Sequence, residues 1–297
     1  KNGRLHSKVN GRSYGIGKLE LVSLKDLRKR LPRSNQAQRC TFKEIVDEAG
    51  RLHRDKENAG ALFQVASQFN LLEMAGPSIT PENGVTRYQF DHTQGPACAI
   101  SAGAATIYRN YFVPVGDQVG QRADIQLNLL DDFEHELTEL IGTTEHSALR
   151  IRNGYALPSL NFMRTANSKI SAMNEAEQSL LRSKIKIGLH WDVEVTSSNY
   201  NPRPFVSQAF CAAMPISYSQ GTYKDWGELA KIVLDAAYEA TLYAAVINSL
   251  RGNSSVVFLT SLGGGAFGNP SVWIEKAIKR SLQLVDRFYL DVKLVLR

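Results

Sequence analysis

The most constraining stretch runs Val256-Val257-Phe258-Leu259-Thr260-Ser261, then Leu262-Gly263-Gly264-Gly265-Ala266-Phe267-Gly268-Asn269-Pro270, then Ser271 to Val285. An apolar, β-branched run that stops at a glycine cluster reads as a buried strand entering a tight loop. Pro270 stands where a first helical residue belongs, with Asn269 before it as N-cap. Ile274, Ala277, Ile278, Ser281, Leu282 and Val285 recur at helical spacing and give the helix one inward face. A strand, glycine loop and helix in this order offer bare backbone N–H groups at the positive end of a helix, the arrangement that cradles phosphate. A single turn needs fewer glycines, and each adds conformational entropy to be lost on folding. Close approach of a ligand therefore explains the cluster better than backbone geometry alone.

Gly263, Gly265 and Gly268 match G-x-G-x-x-G. That dinucleotide fingerprint belongs to a first βαβ unit with further strands after it. Only one strand, over 288–296, is expected to follow here, so the match reads as coincidental in fold though not necessarily in ligand, and a dehydrogenase is disfavoured.

With 297 residues, 43% of them hydrophobic, the chain can bury a substantial core. We expect a single domain spanning 1–297. No apolar run approaches the roughly 20 residues of a membrane span. Cys40, Cys98 and Cys211 are odd in number, far apart and without metal-ligand spacing. They point to a reducing, cytoplasmic setting with no structural zinc. The net charge of +6 is uneven, because 14 Lys and Arg stand against 5 Asp and Glu through Arg54. That basic block lacks interleaved aromatics and a reading motif, so a solvated face or an anionic partner is expected rather than nucleic acid.

In chain order, a short apolar alternation at 19–22 precedes Ser23, which with Asp26 starts a basic helix. A second helix is expected over 41–53, and residues 1–59 read as an N-terminal extension. A strand over 60–67 runs into Gln68, Asn70 and Glu73. A long loop, 78–94, then carries Glu82, Asp91 and His92 and leads to a small-residue helix over 97–108. The acidic segment 116–150 reads as an inserted helical excursion, with its helix over 131–141. Strands over 185–196 and 205–218 and a helix over 227–250 follow. This alternation predicts an α/β domain with helices on both faces of a mixed sheet.

Three stretches together resemble the macrodomain superfamily. The segment 256–281 looks like its second ligand loop, with Phe267-Gly268-Asn269-Pro270 in place of the usual Phe-Gly-Tyr-Pro. Val65-Ala66-Ser67-Gln68-Phe69-Asn70 with Gly95-Pro96 looks like the first ligand region, and Asn153-Gly154-Tyr155-Ala156-Leu157-Pro158 echoes the Gly-Tyr-x-Leu-Pro turn often found between. The resemblance covers 60–296. The long loop, the basic extension and the insertion make the chain most similar to the poly(ADP-ribose) glycohydrolase-like branch, including bacterial effector-type ADP-ribosyl hydrolases.

The resemblance implies a three-layer α/β/α macrodomain fold, ADP-ribose as ligand, and hydrolysis of ADP-ribose from a modified protein such as ubiquitin, in the host cytosol for a secreted effector. It implies no cofactor or metal, no nucleic acid or membrane, and a monomer. Gly263, Gly264, Gly265, Ala266, Phe267, Gly268 and Asn269 would hold the diphosphate, and Gln68 or Asn70 the distal ribose. The glutamate pair of the glycohydrolase signature falls where this chain has Ala97-Cys98-Ala99-Ile100-Ser101, with no acid present. The catalytic carboxylate must come from elsewhere. Asp91 is the first expectation, because Gln94-Gly95-Pro96 tightens the chain beneath it; Glu73 is second and Glu82 third. His92 could orient a carboxylate. The missing pair favours the alternative of a reader that binds ADP-ribose without cleaving it.

Overall fold

Alternation along one short strand sets the layers. In Leu62–Ala66, Phe63 stacks on His53 with ring centroids 3.7 Å apart. The next side chain, Gln64, points the other way and donates to Thr241 at 3.0 Å. Both faces of this strand are buried, so each needs its own helical cover.

The computed structural model describes residues 3–32, 39–143 and 148–296. Seven strands form one sheet: β1 (Lys18–Ser23), β2 (Thr41–Val46), β3 (Leu62–Ala66), β4 (Lys186–Glu194), β5 (Phe205–Cys211), β6 (Val256–Thr260) and β7 (Asp291–Leu296). Their spatial order is β1-β4-β5-β3-β6-β7-β2. The pairs β1/β4 and β4/β5 are antiparallel, and β5, β3, β6, β7 and β2 run parallel. The helices α1 (Leu24–Arg30), α2 (Ala49–Arg54), α3 (Gln94–Ser101), α4 (Gly103–Tyr111), α5 (Asp131–Ile141), α6 (Leu160–Ala172), α7 (Glu175–Arg182), α8 (Tyr223–Leu250) and α9 (Ser271–Val285) complete the fold. On one face α8 packs against α9, α6, α7 and α1; on the other, α2, α3 and α4 pack together. The molecule is a three-layer α/β/α fold with a mixed sheet, as the sequence predicts.

Several elements differ from expectation. Residues 41–46 are a strand, and only Ala49–Arg54 is helical. Thr41-Phe42-Lys43-Glu44-Ile45-Val46 is rich in β-branched and aromatic residues, and it pairs in register with β7 from Thr41↔Asp291 to Val46↔Leu296. The segment before residue 60 thus supplies both edge strands of the sheet, β1 and β2. The expected helix over 97–108 is two helices, broken at Ala102, after which Gly103 N–H donates to Thr196 Oγ1 at 2.8 Å. Asp131–Ile141 is helical as expected, but Phe133 and Leu137 are buried and the helix packs on α6 and α7. Part of the acidic segment, 144–147, lies outside the described residues. Helices α6 and α7 stand where no helix is expected. Ser159 caps the first, and Asn174 with Glu177 forms a capping box on the second.

A charged cluster ties the α8 layer together. Glu239 of α8 is buried and accepts from Arg28 of α1 and Arg280 of α9, each at 2.7 Å. Those two guanidiniums hold its carboxyl below the usual carboxylate range against the opposing effect of burial, which is the largest single influence on it.

Candidate functional site

The parallel strands β3 and β6 part company early. Their ladder covers only Val257↔Leu62 and Phe258↔Phe63. Beyond it, the side chain of Gln94 occupies the free edge of β3: its Oε1 accepts from Ala66 N–H at 2.9 Å and its Nε2 donates to Gln64 O at 2.7 Å. After β3 the chain passes to α3 on one face, and after β6 to α9 on the other. In open α/β sheets ligands bind outside the carboxyl ends of strands at such a switch point. A cleft of about 310 Å³ opens there, lined from the β3 side by Ser67, Gln68, Glu73 and Asp91 and from the β6 side by Ser261, Gly263 and Phe267.

The glycine loop forms one wall. Among the described residues, no acceptor takes the backbone N–H of Gly263, Gly265, Ala266 or Phe267, and all four residues line the cleft. Such a row of free donors is an anion-binding concavity. Gly263 and Gly268 shape it, with φ of +75° and +73°. A Cβ would lie 2.4 Å from Ala213 Cβ at the first and 2.2 Å from Ser217 Oγ at the second. Gly264 and Gly268 do not line the cleft. Asn269 is not the helix cap: Pro270 takes that position, and Asn269 Nδ2 donates to Met214 O at 2.9 Å and Gly263 O at 3.3 Å, closing the loop on itself. Rings of Tyr155, Tyr218 and Phe267, with centroids 5.1 to 5.8 Å apart, make an aromatic flank.

The opposite wall comes from the chain after β3. Gln68 lines the cleft, but its amide is engaged in the loop: Oε1 accepts from Met74 N–H at 2.8 Å and Nε2 donates to Met74 O at 3.2 Å. Asn70 lies wholly buried behind the wall, accepting from Leu72 N–H at 3.1 Å and donating to Gln126 at 2.8 Å. Directly after Asn70, Leu71 holds a left-handed φ of +65°, an uncommon conformation for a bulky residue. This tight fold turns Glu73 inward, and Tyr88 Oη accepts from its N–H at 3.0 Å.

Glu73 is 3% exposed, and neither carboxyl oxygen finds a hydrogen bond among the described residues. The nearest cation is fully buried Arg109, whose Nη2 lies 3.6 Å from Oε1. Arg109 is held by Leu71 O, Thr106 Oγ1 and His190 Nδ1, and its guanidinium lies 3.8 Å over the Phe210 ring. Since Arg only donates, His190 Nδ1 is an acceptor and the imidazole is neutral, in keeping with a pKa pushed well below the usual value by burial. Burial pushes the Glu73 carboxyl up to about 7, with Arg109 pulling it the other way. Gly95, where a Cβ would lie 2.0 Å from Ala66 O and 3.1 Å from Glu73 Cγ, lets α3 press against this acid.

Asp91 also lines the cleft and is half-buried; its Oδ1 accepts from Thr93 N–H at 2.9 Å and Thr93 Oγ1 at 2.7 Å. Glu82 lies away from the cleft, exposed, where its carboxylate accepts from Ala123 N–H at 2.9 Å. His92 is exposed and outside the cleft lining, and Asp91 Oδ1 is engaged by Thr93 instead. Arg109, Tyr88, Tyr218 and Gln94 join the site without a motif to mark them in the sequence. Arg109 has a faint signal there, as the only charge in a helix of small and aromatic residues. Among the described residues no group of His, Cys, Asp and Glu could hold a metal ion, and no helix is long and apolar enough to cross a membrane.

No family model and no curated protein matches this chain. Among solved structures it is similar to the poly(ADP-ribose) glycohydrolase of Thermomonospora curvata, at 13% identity and a TM-score of 0.46, over 99% of this chain and 88% of that one. It is also similar to the poly(ADP-ribose) glycohydrolase of Deinococcus radiodurans in complex with ADP-ribose, at 15% identity and a TM-score of 0.45, over 94% of this chain and 88% of that one. These belong to the branch that the sequence motifs resemble. At so low a TM-score the likeness assigns no activity, and the chemistry has to come from the cleft itself.

Proposed function

We propose that the cleft binds the ADP-ribose of a modified protein and hydrolyses its glycosidic bond, with Glu73 as the general acid. The observation that carries this reading is Glu73: a residue of the cleft lining whose carboxyl is buried, raised to about 7 and, among the described residues, without a hydrogen bond, across from a wall with four N–H groups that no described residue accepts. The N–H row suits a diphosphate and compensates its charge without a lysine. The aromatic flank suits the flat apolar faces of a nucleoside.

A carboxyl poised near neutrality is matched to proton transfer at neutral pH. In the proposed step protonated Glu73 gives its proton to the leaving oxygen or nitrogen as the bond to ribose C1″ breaks through an oxocarbenium-like state. Water adds to C1″, and its proton returns to the Glu73 carboxylate, which Arg109 steadies while it is charged. Free ADP-ribose and the unmodified side chain leave. Asp91 takes second place, because one of its oxygens is committed to the Thr93 turn. Glu82, Gln68, Asn70 and Asn269 become supports of the loops rather than groups on the ligand.

The test is release of ADP-ribose from mono- and poly-ADP-ribosylated proteins, ADP-ribosylated ubiquitin among them, by wild type and Glu73→Gln. Release that Glu73→Gln abolishes supports the hydrolase. Binding of ADP-ribose without release from any carrier would make the chain a reader instead.

A further inference from the structure

The cation nearest Glu73 stops short of it. Arg109 Nη2 lies 3.6 Å from Glu73 Oε1, too far for a hydrogen bond, although both side chains are buried. Among the described residues every hydrogen bond of the guanidinium goes elsewhere: Nε to Leu71 O at 3.2 Å, Nη1 to His190 Nδ1 at 3.4 Å and Nη2 to Thr106 Oγ1 at 3.1 Å. Each acceptor is itself fixed. Thr106 spends its one hydroxyl proton on Ala99 O at 2.7 Å, so a lone pair is what it offers Arg109. The Leu71 carbonyl follows a backbone held at φ +65°, and the Phe210 ring lies 3.8 Å beneath the guanidinium.

That gap decides what kind of acid Glu73 is. A guanidinium bonded directly to a buried carboxylate holds it ionised, whereas one set back only offsets part of the cost of burial. The other titratable groups packed around the pair add no charge: burial keeps Tyr88 a phenol and Cys98 a thiol, and His190 is neutral. The cleft lining contributes one further carboxylate, Asp91, and the phenols of Tyr155 and Tyr218. The position of Arg109 is therefore the setting on which the Glu73 proton depends.

We propose that Thr106 and His190 are positioning residues: they clamp Arg109 back from Glu73 and so let its carboxyl keep a proton. The use of that proton in catalysis rests on the reading of Glu73 as the general acid, but the clamp is tested by titration, which needs no turnover. Carbon NMR of the glutamate carboxyls, with the Glu73 signal assigned by its absence from Glu73→Gln, gives the midpoint in the free protein. Single-turnover release of ADP-ribose against pH reports the same group at work. Thr106→Val keeps the shape and removes the acceptor, which frees Nη2 to close on Glu73 Oε1. The Glu73 midpoint is then expected to fall from about 7 by about one pH unit, which lowers release at pH 7 about fivefold and leaves release at acid pH near that of wild type. Thr106→Ser keeps the hydroxyl and should restore the wild-type midpoint, which a role in packing alone would not predict. His190→Leu opens the other arm of the clamp and should shift the midpoint the same way, should Thr106→Val fail to fold. An unmoved or raised midpoint in the variant that folds, or a Thr106→Ser protein that titrates as Thr106→Val does, would overturn the clamp. If the midpoints move as expected but wild type releases no ADP-ribose from any carrier, the clamp stands and the hydrolase reading fails.

Discussion

Glu73 combines two properties that conflict: it lies out of water, and its function requires it to lose and regain a proton. Because its folded pKa of about 7 is above the ordinary 4.5, the stability linked to its neutral form is fully present below 4.5 and is lost as pH rises through 7. The same titration should govern activity. We expect kcat/KM to fall above about pH 7 as the acid deprotonates, and Glu73→Gln to lower turnover by about 10² to 10⁴ while ADP-ribose still binds within a few-fold. A pH profile flat to about pH 9 would remove Glu73 from the general-acid role. Asp91→Asn should cost less than Glu73→Gln, measured as single-turnover release. An equal or larger loss would restore Asp91 to the first place it holds on sequence grounds.

At the scale of elements, the strand, glycine loop and helix at 256–285 are legible because each piece has its own signature: β-branched residues, a glycine cluster and a helical stripe. What cannot be read is the division of labour within the loop. Gly263, Gly265 and Gly268 look alike in sequence, yet a Cβ at Gly265 meets nothing within 4 Å while one at Gly268 strikes Ser217. Gly265→Glu is therefore expected to abolish ADP-ribose binding with a native melting curve. Gly268→Glu should instead unfold the protein at lower temperature, since both its φ and its space exclude a side chain. Calorimetry on the pair distinguishes these effects, and an unaltered affinity in Gly265→Glu would put the ligand elsewhere. Asn269 and Asn70 are misread from sequence for a similar reason. A side-chain amide at a strand end serves ligand or backbone equally well in sequence, and here both are engaged within their own loops. The edge strand at 41–46 escapes the pattern because Thr41 to Glu44 are exposed on both faces, so it lacks the continuous apolar run that burial on both faces gives the inner strands.

At the scale of the molecule, the sheet order and the Glu239 cluster hold distant segments together. Glu239 joins α1, α8 and α9, so Glu239→Ala leaves two partly buried guanidiniums without their carboxylate. Breaking a buried pair in this way costs about 3 to 5 kcal/mol, somewhat less here because Arg28 and Arg280 keep partial contact with water. Urea unfolding at pH 7 should show that loss. Because the folded pKa of Glu239 is depressed, its contribution is present above the ordinary 4.5 and fades as pH falls through the folded value. The carboxylate would be a bystander if wild type and variant had equal midpoints at pH 7. Sheet order has a temporal consequence as well. β2 pairs with β7 alone among the described strands, and Thr41 is bonded to Asp291 across a separation of 250 residues. During synthesis at about 5 to 20 residues per second, β2 therefore waits many seconds for its neighbour. Closing so long a loop is slow, and an unpaired strand is prone to aggregate while it waits. Pulse-labelled amide exchange should find β2 and β7 gaining protection together and last. Early protection of β2 would mean that it has found another partner. From the synthesis of β2 until that of β7 the nascent chain therefore carries an unpaired strand edge, the interval in which a chaperone that masks extended segments would act on this topology.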